Sequence, residues 1–220
     1  MTLVAFDFDG TLSDSEMTVL LGEQCDRVDP TGDGSVAGRM AAITERAMND
    51  EIGYAESLRR RCGLLEGLDL DAADRAFDAV ELRPGAADLI GRLRSAGIEV
   101  AILTGGFERG VAAALDGDGV EVDAVVANRL PASEGALTGA VEGPLVEGTK
   151  DDALEVLAAA VGESRGETVA VGDGANDLPM LEVAGLAVGF DPKPAVEPAC
   201  DAVVRTMAGL TDLFEREGIL

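Results

Sequence analysis

The chain has 220 residues, which suits one large α/β domain or a core domain carrying a small insert. Hydrophobic residues make up 47% but aromatics only 3%, with no Trp, so an aliphatic core is expected and the composition argues against aromatic stacking platforms for nucleic acid. A net charge of −25, from 42 acidic against 17 basic residues, repels DNA, RNA and anionic membranes and predicts a salt-rich cytoplasm that screens the self-repulsion.

Leu3-Val4-Ala5-Phe6 is a short apolar run, the pattern of a buried strand, and stops at Asp7-Phe8-Asp9-Gly10-Thr11. It is too short for a signal peptide, and no apolar stretch reaches membrane-spanning length, so a cytoplasmic location is expected. Residues 15–80 show no clear strand. Met40, Ile43 and Ala47 fall at helical spacing, as do Tyr54, Leu58 and Cys62, and Asp69 or Asp71 is placed to cap a further helix through Val80. Asp29-Pro30-Thr31-Gly32-Asp33-Gly34 is a turn-rich break between helices. The stretch reads as a helical cap over the mouth of a sheet. The expected division is a core of residues 1–14 and 81–220 and a cap of residues 15–80.

Beyond the cap, Pro84 opens a helix carrying Leu89, Ile90 and Leu93, and Gly97 closes it. Val100-Ala101-Ile102-Leu103 reads as a second strand ending at Thr104-Gly105-Gly106, and a helix follows from about Phe107 to Leu115. Asp116-Gly117-Asp118-Gly119 reads as a turn. A third strand, Ala124 to Ala127, stops at Asn128, and a small hairpin is expected over Leu130 to Val141 with Gly135 in its turn. Lys150 to Val161 is a helical pattern. Thr168 to Val171 is a fourth strand, stopping at Gly172-Asp173-Gly174, with a helix after Asp177; Leu186 to Gly189 is a fifth. Strands alternating with helices predict an α/β fold: a Rossmann-like parallel sheet with helices on both faces and a helical cap inserted after the first strand. Ligands of such sheets sit outside the carboxyl ends of the strands.

Histidine is absent, so acid–base or covalent chemistry falls to carboxylates, Lys, Cys or hydroxyls. Cys25, Cys62 and Cys200 form no CxxC pair and no zinc spacing, and read as small buried hydrophobes. Lysine occurs only at Lys150 and Lys193, against fifteen arginines. Lys193, between Pro192 and Pro194, reads as a loop residue with no assigned role.

Asp7 and Asp9 stand two residues apart at a strand's carboxyl end, where alternation puts both carboxylates on one side. They are either a nucleophile with its acid/base partner or simply a polar strand end. Thr104-Gly105-Gly106 offers a hydroxyl and bare amides for phosphate oxygens, or merely a turn. Lys150 is a candidate cation for a phosphate among carboxylates. Gly172-Asp173-Gly174-Ala175-Asn176-Asp177 suits a hard, oxygen-seeking cation. The preceding strand argues against an EF-hand Ca²⁺ loop there.

Together these motifs resemble the haloacid dehalogenase superfamily. Asp7 to Thr11 match DxDG[TS], Thr104 the hydroxyl motif, Lys150 the lysine motif, and Gly172 to Asp177 match GDGxxD. The chain is further similar to the phosphoserine phosphatase family over nearly its whole length. Thr104-Gly105-Gly106-Phe107, Ala127-Asn128-Arg129-Leu130, Leu137-Thr138-Gly139, Met180-Leu181 and Ala184-Gly185-Leu186 carry that likeness, as do Glu16, nine residues after Asp7, and Ser57-Leu58-Arg59-Arg60-Arg61. The chain departs in having Thr104 where Ser is frequent and Tyr54 where Phe is common.

The resemblance implies that Asp7 is the nucleophile, that Asp9 is the acid/base, and that Mg²⁺ is held by Asp7, the Asp9 carbonyl and Asp173. Asp177 and Asn176 support the metal or its waters. Thr104, Gly105 and Lys150 hold the phosphoryl group. For an O-phosphoserine substrate it places Glu16 on the ammonium, Arg61 on the carboxylate, and Met48 and Tyr54 as an apolar wall. A monomer or homodimer is expected. Alternatives stay open: phosphoryl transfer to an acceptor alcohol such as homoserine, another small phosphomonoester, or a non-catalytic phosphate- or metal-binding module.

Overall fold

A computed structural model describes residues 3–28, 35–48 and 51–220, without the side chain of Met48. The turn expected at Asp29 to Gly34 lies outside the described residues, and so does the wall role expected of Met48.

The strands are β1 (Leu3–Phe6), β2 (Glu99–Phe107), β3 (Ala124–Asn128), β4 (Ala132–Ser133), β5 (Ala136–Leu137), β6 (Val169–Gly172), β7 (Leu186–Phe190) and β8 (Ala202–Val204). Six of them form a parallel sheet in the order β3-β2-β1-β6-β7-β8. Side chains alternate cleanly between its faces. Val4, Phe6, Val100, Ile102, Val169, Val171 and Val188 enter one buried cluster with helices α5 (Ala86–Ser95), α6 (Glu108–Asp118) and α9 (Met207–Arg216). Leu3, Ala5, Ala101, Leu103, Ala170 and Ala187 enter the other, with α7 (Lys150–Ala160) and the single turn α8 (Leu178–Leu181). The four alanines on that face leave room for α7 to approach the sheet closely, which brings its first residue, Lys150, down to the strand ends.

The chain order reverses at β1. From β1 it crosses to β2 and β3 on one side, then returns to β6 on the other. The crevice between β1 and β6 is therefore the topological switch point, where sheets of this kind take their ligands. Asp7 follows β1 directly and Asp173 follows β6 directly.

Four helices follow β1: α1 (Met17–Val28), α2 (Val36–Met48), α3 (Tyr54–Gly63) and α4 (Leu70–Phe77). Of the two expected caps, Asp69 is the one used, accepting from the Asp71 amide at 2.9 Å, and α4 ends at Phe77, short of Val80. Leu21, Met40, Leu58, Leu65 and Phe77 bury into the same cluster as the α5 face of the sheet. Phe77 meets Phe107 edge-on, ring centroids 6.4 Å apart.

The hairpin forms as expected, β4 against β5, with Glu134 and Gly135 both at positive φ in the turn. Asp116 to Asp118 are not a turn but the last residues of α6, which ends at Gly119 with φ 63°. Cys62 is buried, and burial pushes its thiol up to about 12, whereas Cys25 and Cys200 are only half-buried. Two elements stand outside the sequence expectations, β8 and α9. Among the described residues no helix is long and apolar enough to cross a membrane.

Candidate active site

The loop after β1 is tied by its own backbone. Asp7 N–H donates to the Val171 carbonyl at 2.8 Å, extending the β1–β6 pairing by one residue, and the Thr11 and Ser13 amides both close on the Phe8 carbonyl. Phe8 is fully buried. Gly10 stands at φ +89°, and a β-carbon there would lie 2.8 Å from the Asp173 carboxylate. Glycine is thus required both by conformation and by the approach of the second acid.

Lys150 is the hub. Its ammonium lies 2.5 Å from Asp7 Oδ1 and 2.5 Å from Asp177 Oδ1, and all three side chains are at most 3% exposed. Burial drives the ammonium toward neutrality, but Asp177 and Asp7 outweigh it and raise its pKa above the ordinary value. Removing one partner from such a buried set costs about 3–5 kcal/mol, because a charge is left uncompensated. Asp177 Oδ2 accepts from the Asp173 and Gly174 amides, both at 2.9 Å. With both its oxygens engaged, Asp177 shapes the loop.

The remaining acids crowd this hub. Burial, then repulsion from Asp177, pushes Asp7 up to about 7 despite the pull of Lys150. Asp9 is raised well above the carboxylate range by burial, then by Glu16 and Asp7. Its Oδ1 is buried with no hydrogen-bond partner, while the Met17 amide holds the carboxyl. A buried carboxyl with a free oxygen beside a second carboxylate, its surroundings favouring the neutral form, is suited to donate a proton. Asp173 is likewise raised, chiefly by burial, with Lys193 pulling the other way.

Oxygen ligand atoms of Asp7, Asp173 and Asp177 lie within 4.8 Å of one another. Three carboxylates at that spacing, sharing only two ammonium partners, fit a hard divalent cation.

The phosphate-binding candidates flank the cluster. Thr104 is buried, its Oγ1 accepting from the Gly106 amide at 2.9 Å, where β2 breaks register against β3. The Gly105 carbonyl accepts from Asn128 Nδ2 at 3.0 Å. A β-carbon on Gly105 would lie 1.9 Å from Tyr54 Oη, so α3 seats its first residue directly on this loop. Asn176 is exposed at the rim, its Oδ1 over Gly174.

In the cap, Arg61 Nη1 reaches Thr18 Oγ1 at 3.3 Å and its buried Nε has no partner. Glu16 is raised by burial first, with Lys193 and Arg61 lowering it and Asp173 opposing them. Glu16 therefore shares the field of Lys193, Asp173 and Arg61. An open cleft of 780 Å³ between α6 and the β3 edge shares no residue with this cluster.

Three residues join the site that the motifs did not assign. Lys193 pairs with Asp173 Oδ2 at 3.1 Å. Arg83 donates to the Gly10 carbonyl at 3.2 Å and lies over the Phe190 ring, 5.3 Å from its centroid. Asn128 bridges Gly105 and the Leu145 amide. A signal for Lys193 was present: it is one of two lysines in a chain that otherwise uses arginine.

The fold and the acid–lysine cluster at the switch point are those of a hydrolase of one class, and the chain belongs to the haloacid dehalogenase-like hydrolase family, whose model matches residues 4–182. Over 219 residues, covering all of both chains, it is 54% identical to a phosphoserine phosphatase of Halobacterium salinarum. Among solved structures it is similar to a phospho-aspartyl intermediate analogue of phosphoserine phosphatase, with TM-score 0.84, 32% identity and 98% of each chain covered. It is also similar to a substrate-bound phosphoserine phosphatase complex, with TM-score 0.83, 31% identity, and 98% and 97% covered. The likeness read from the motifs thus runs the length of the chain.

Proposed function

We propose that this chain is a Mg²⁺-dependent phosphatase that hydrolyses O-phosphoserine to serine and phosphate through an aspartyl-phosphate on Asp7. The observation that carries the reading is the buried Lys150–Asp7–Asp177 triplet beside the buried, unpartnered Oδ1 of Asp9 at the switch point, in a chain alike end to end to phosphoserine phosphatases.

In the proposed sequence Asp7 attacks phosphorus in line, forming the acyl-phosphate bond as the bond to the serine oxygen breaks. Asp9 gives its proton to that departing oxygen, which otherwise leaves as an alkoxide. Now ionised, Asp9 takes a proton from water as the water's oxygen attacks the aspartyl-phosphate. The phosphorus–Asp7 bond breaks, phosphate leaves, and both carboxyls return to their starting state. When bound, Mg²⁺ neutralises charge on the carboxylates and the phosphoryl oxygens. Asp7, Asp173 and the Asp9 carbonyl would hold it, while the engaged oxygens of Asp177 argue for a supporting role.

Lys150, Thr104, Gly105 and Asn176 receive the phosphoryl oxygens. Glu16 takes the serine ammonium, and Arg61, with its unused buried Nε, takes the carboxylate. Tyr54 forms the wall. The proposed division is a core of residues 1–14 and 81–220 and a cap of 15–80, the inserted segment to which the proposed contacts Glu16, Tyr54 and Arg61 belong. The site is built within one chain, so a monomer or homodimer suffices, and the ligand is a small molecule of the cytoplasm rather than nucleic acid or membrane.

The test is phosphate release from phosphoserine, phosphothreonine, phosphoglycolate and sugar phosphates, with and without Mg²⁺ in high KCl. Preference for phosphoserine, loss without the cation and loss in Asp7→Asn are expected. Transfer to an added alcohol in place of phosphate release would replace hydrolysis by phosphotransfer.

A further inference from the structure

We propose that Lys193 is a positioning residue for the divalent-cation site: it pins Asp173 through one carboxylate oxygen and so presents the other to the cation. The inference rests on the metal-dependent reading above. Lys193 grips Asp173 twice, at two levels of the chain. Its backbone N–H donates to the Asp173 carbonyl at 2.9 Å, and its ammonium meets Oδ2 at 3.1 Å. The loop that carries it is fixed on both sides. Pro192 and Pro194 restrict its backbone, and the Lys193 carbonyl accepts from the amide of Val196, which is fully buried. Gly10 lies flush against the Asp173 carboxylate, equally close to both oxygens, so the difference between them comes from Lys193. Its two oxygens are therefore not equivalent: one is taken by the ammonium, and Oδ1 is left for a ligand.

Stability does not explain this pair. The Lys193 side chain is 51% exposed, and ion pairs with such a partner contribute about 0–1 kcal/mol. The choice of residue is the second, independent sign. Both lysines of the chain end on the acid cluster, Lys150 on Asp7 and Asp177, Lys193 on Asp173. Every other basic position is arginine. A guanidinium presents a planar fork that takes both oxygens of a carboxylate, whereas an ammonium is a compact charge that takes one. At Asp173 a fork would close the oxygen that a cation needs.

The experiment is Mg²⁺ titration of the metal-free protein by calorimetry in molar KCl, for wild type, Lys193→Ala, Lys193→Met and Lys193→Arg. Loss of a residue that orients a metal ligand lowers metal affinity by about 10–100-fold. Both Lys193→Ala and Lys193→Met are expected to fall by about tenfold, with Lys193→Met keeping the aliphatic stem as a guard against a packing defect. Lys193→Arg is expected to fall as well. Melting temperatures of the metal-free variants should match wild type, as a half-exposed pair implies. Unchanged or tighter Mg²⁺ binding in both neutral variants overturns the inference, because Lys193 would then merely compete with the cation. Wild-type affinity in Lys193→Arg overturns it too, because charge alone would suffice. Phosphate release by wild type is measured in parallel. A wild type that binds Mg²⁺ without hydrolysing phosphoserine refutes the substrate and leaves Lys193 decided by its own titrations. A wild type that binds no Mg²⁺ refutes both.

Discussion

At Asp7 the surroundings oppose the ionised form that a nucleophile needs. Burial and Asp177 push its carboxyl from the ordinary 3.8 to about 7, against the pull of Lys150. Between those values the folded chain holds a proton that the unfolded chain has released. Stability of the metal-free protein therefore falls as pH rises through that window. A cation at the carboxylates relieves the same repulsion, so the rise in melting temperature on adding Mg²⁺ should be several degrees larger at pH 8 than at pH 5. Thermal scans of wild type and Asp7→Asn check this. The pH dependence of the Mg²⁺ effect should shrink in the variant, and an equal dependence in both would place the proton elsewhere. Where a motif fixes neighbours along the chain, as at Asp7 and Asp9 or Asp173 and Asp177, the grouping is legible in the sequence. Lys193, twenty residues beyond Asp173, is not, because that contact exists only once β6 and β7 pair and bring the two loops together.

Among the elements, α3 and the irregular end of β2 behave as one part. Tyr54, the first residue of α3, lies where a side chain on Gly105 would have to go. Gly105→Ala should lower kcat/KM by tenfold or more, since its methyl meets the Tyr54 hydroxyl and either lifts α3 or shifts the phosphate loop. Tyr54→Phe removes that hydroxyl, so the double variant should recover part of the loss. Steady-state kinetics on the four proteins test it, and purely additive effects would mean that the two residues do not meet in the working enzyme. The helices of the cap were legible from spacings such as Tyr54, Leu58 and Cys62, and the strands from their unbroken apolar runs. β8 was not, because three residues are too few for any period to show. α9 carries Met207, Leu210, Leu213 and Phe214 on its buried face behind a Thr206 cap, a readable pattern that had no motif to draw attention to it.

For the whole molecule, 42 acidic and 17 basic residues leave a charge that the fold must tolerate. Surface pairs such as Arg92–Glu215, Arg129–Glu142 and Arg205–Asp191 offset little of it, as each is worth about 0–1 kcal/mol. The screening length shrinks from about 10 Å at 0.1 M salt to about 3 Å at 1 M, which removes most repulsion between separate acids. A salt-rich setting fits the Halobacterium salinarum origin of the 54% identical relative. Melting temperature should rise by several degrees from dilute buffer to molar KCl, measured without Mg²⁺ so that site binding does not contribute. A flat response would mean that the charges are already balanced locally. The scarcity of lysine has a practical side as well. Of the two lysines, an amine-directed reagent finds Lys193 at the surface and cannot reach the buried Lys150. Acylation of that amine would cancel the charge that faces Asp173, so covalent labelling there would alter the acid cluster it touches.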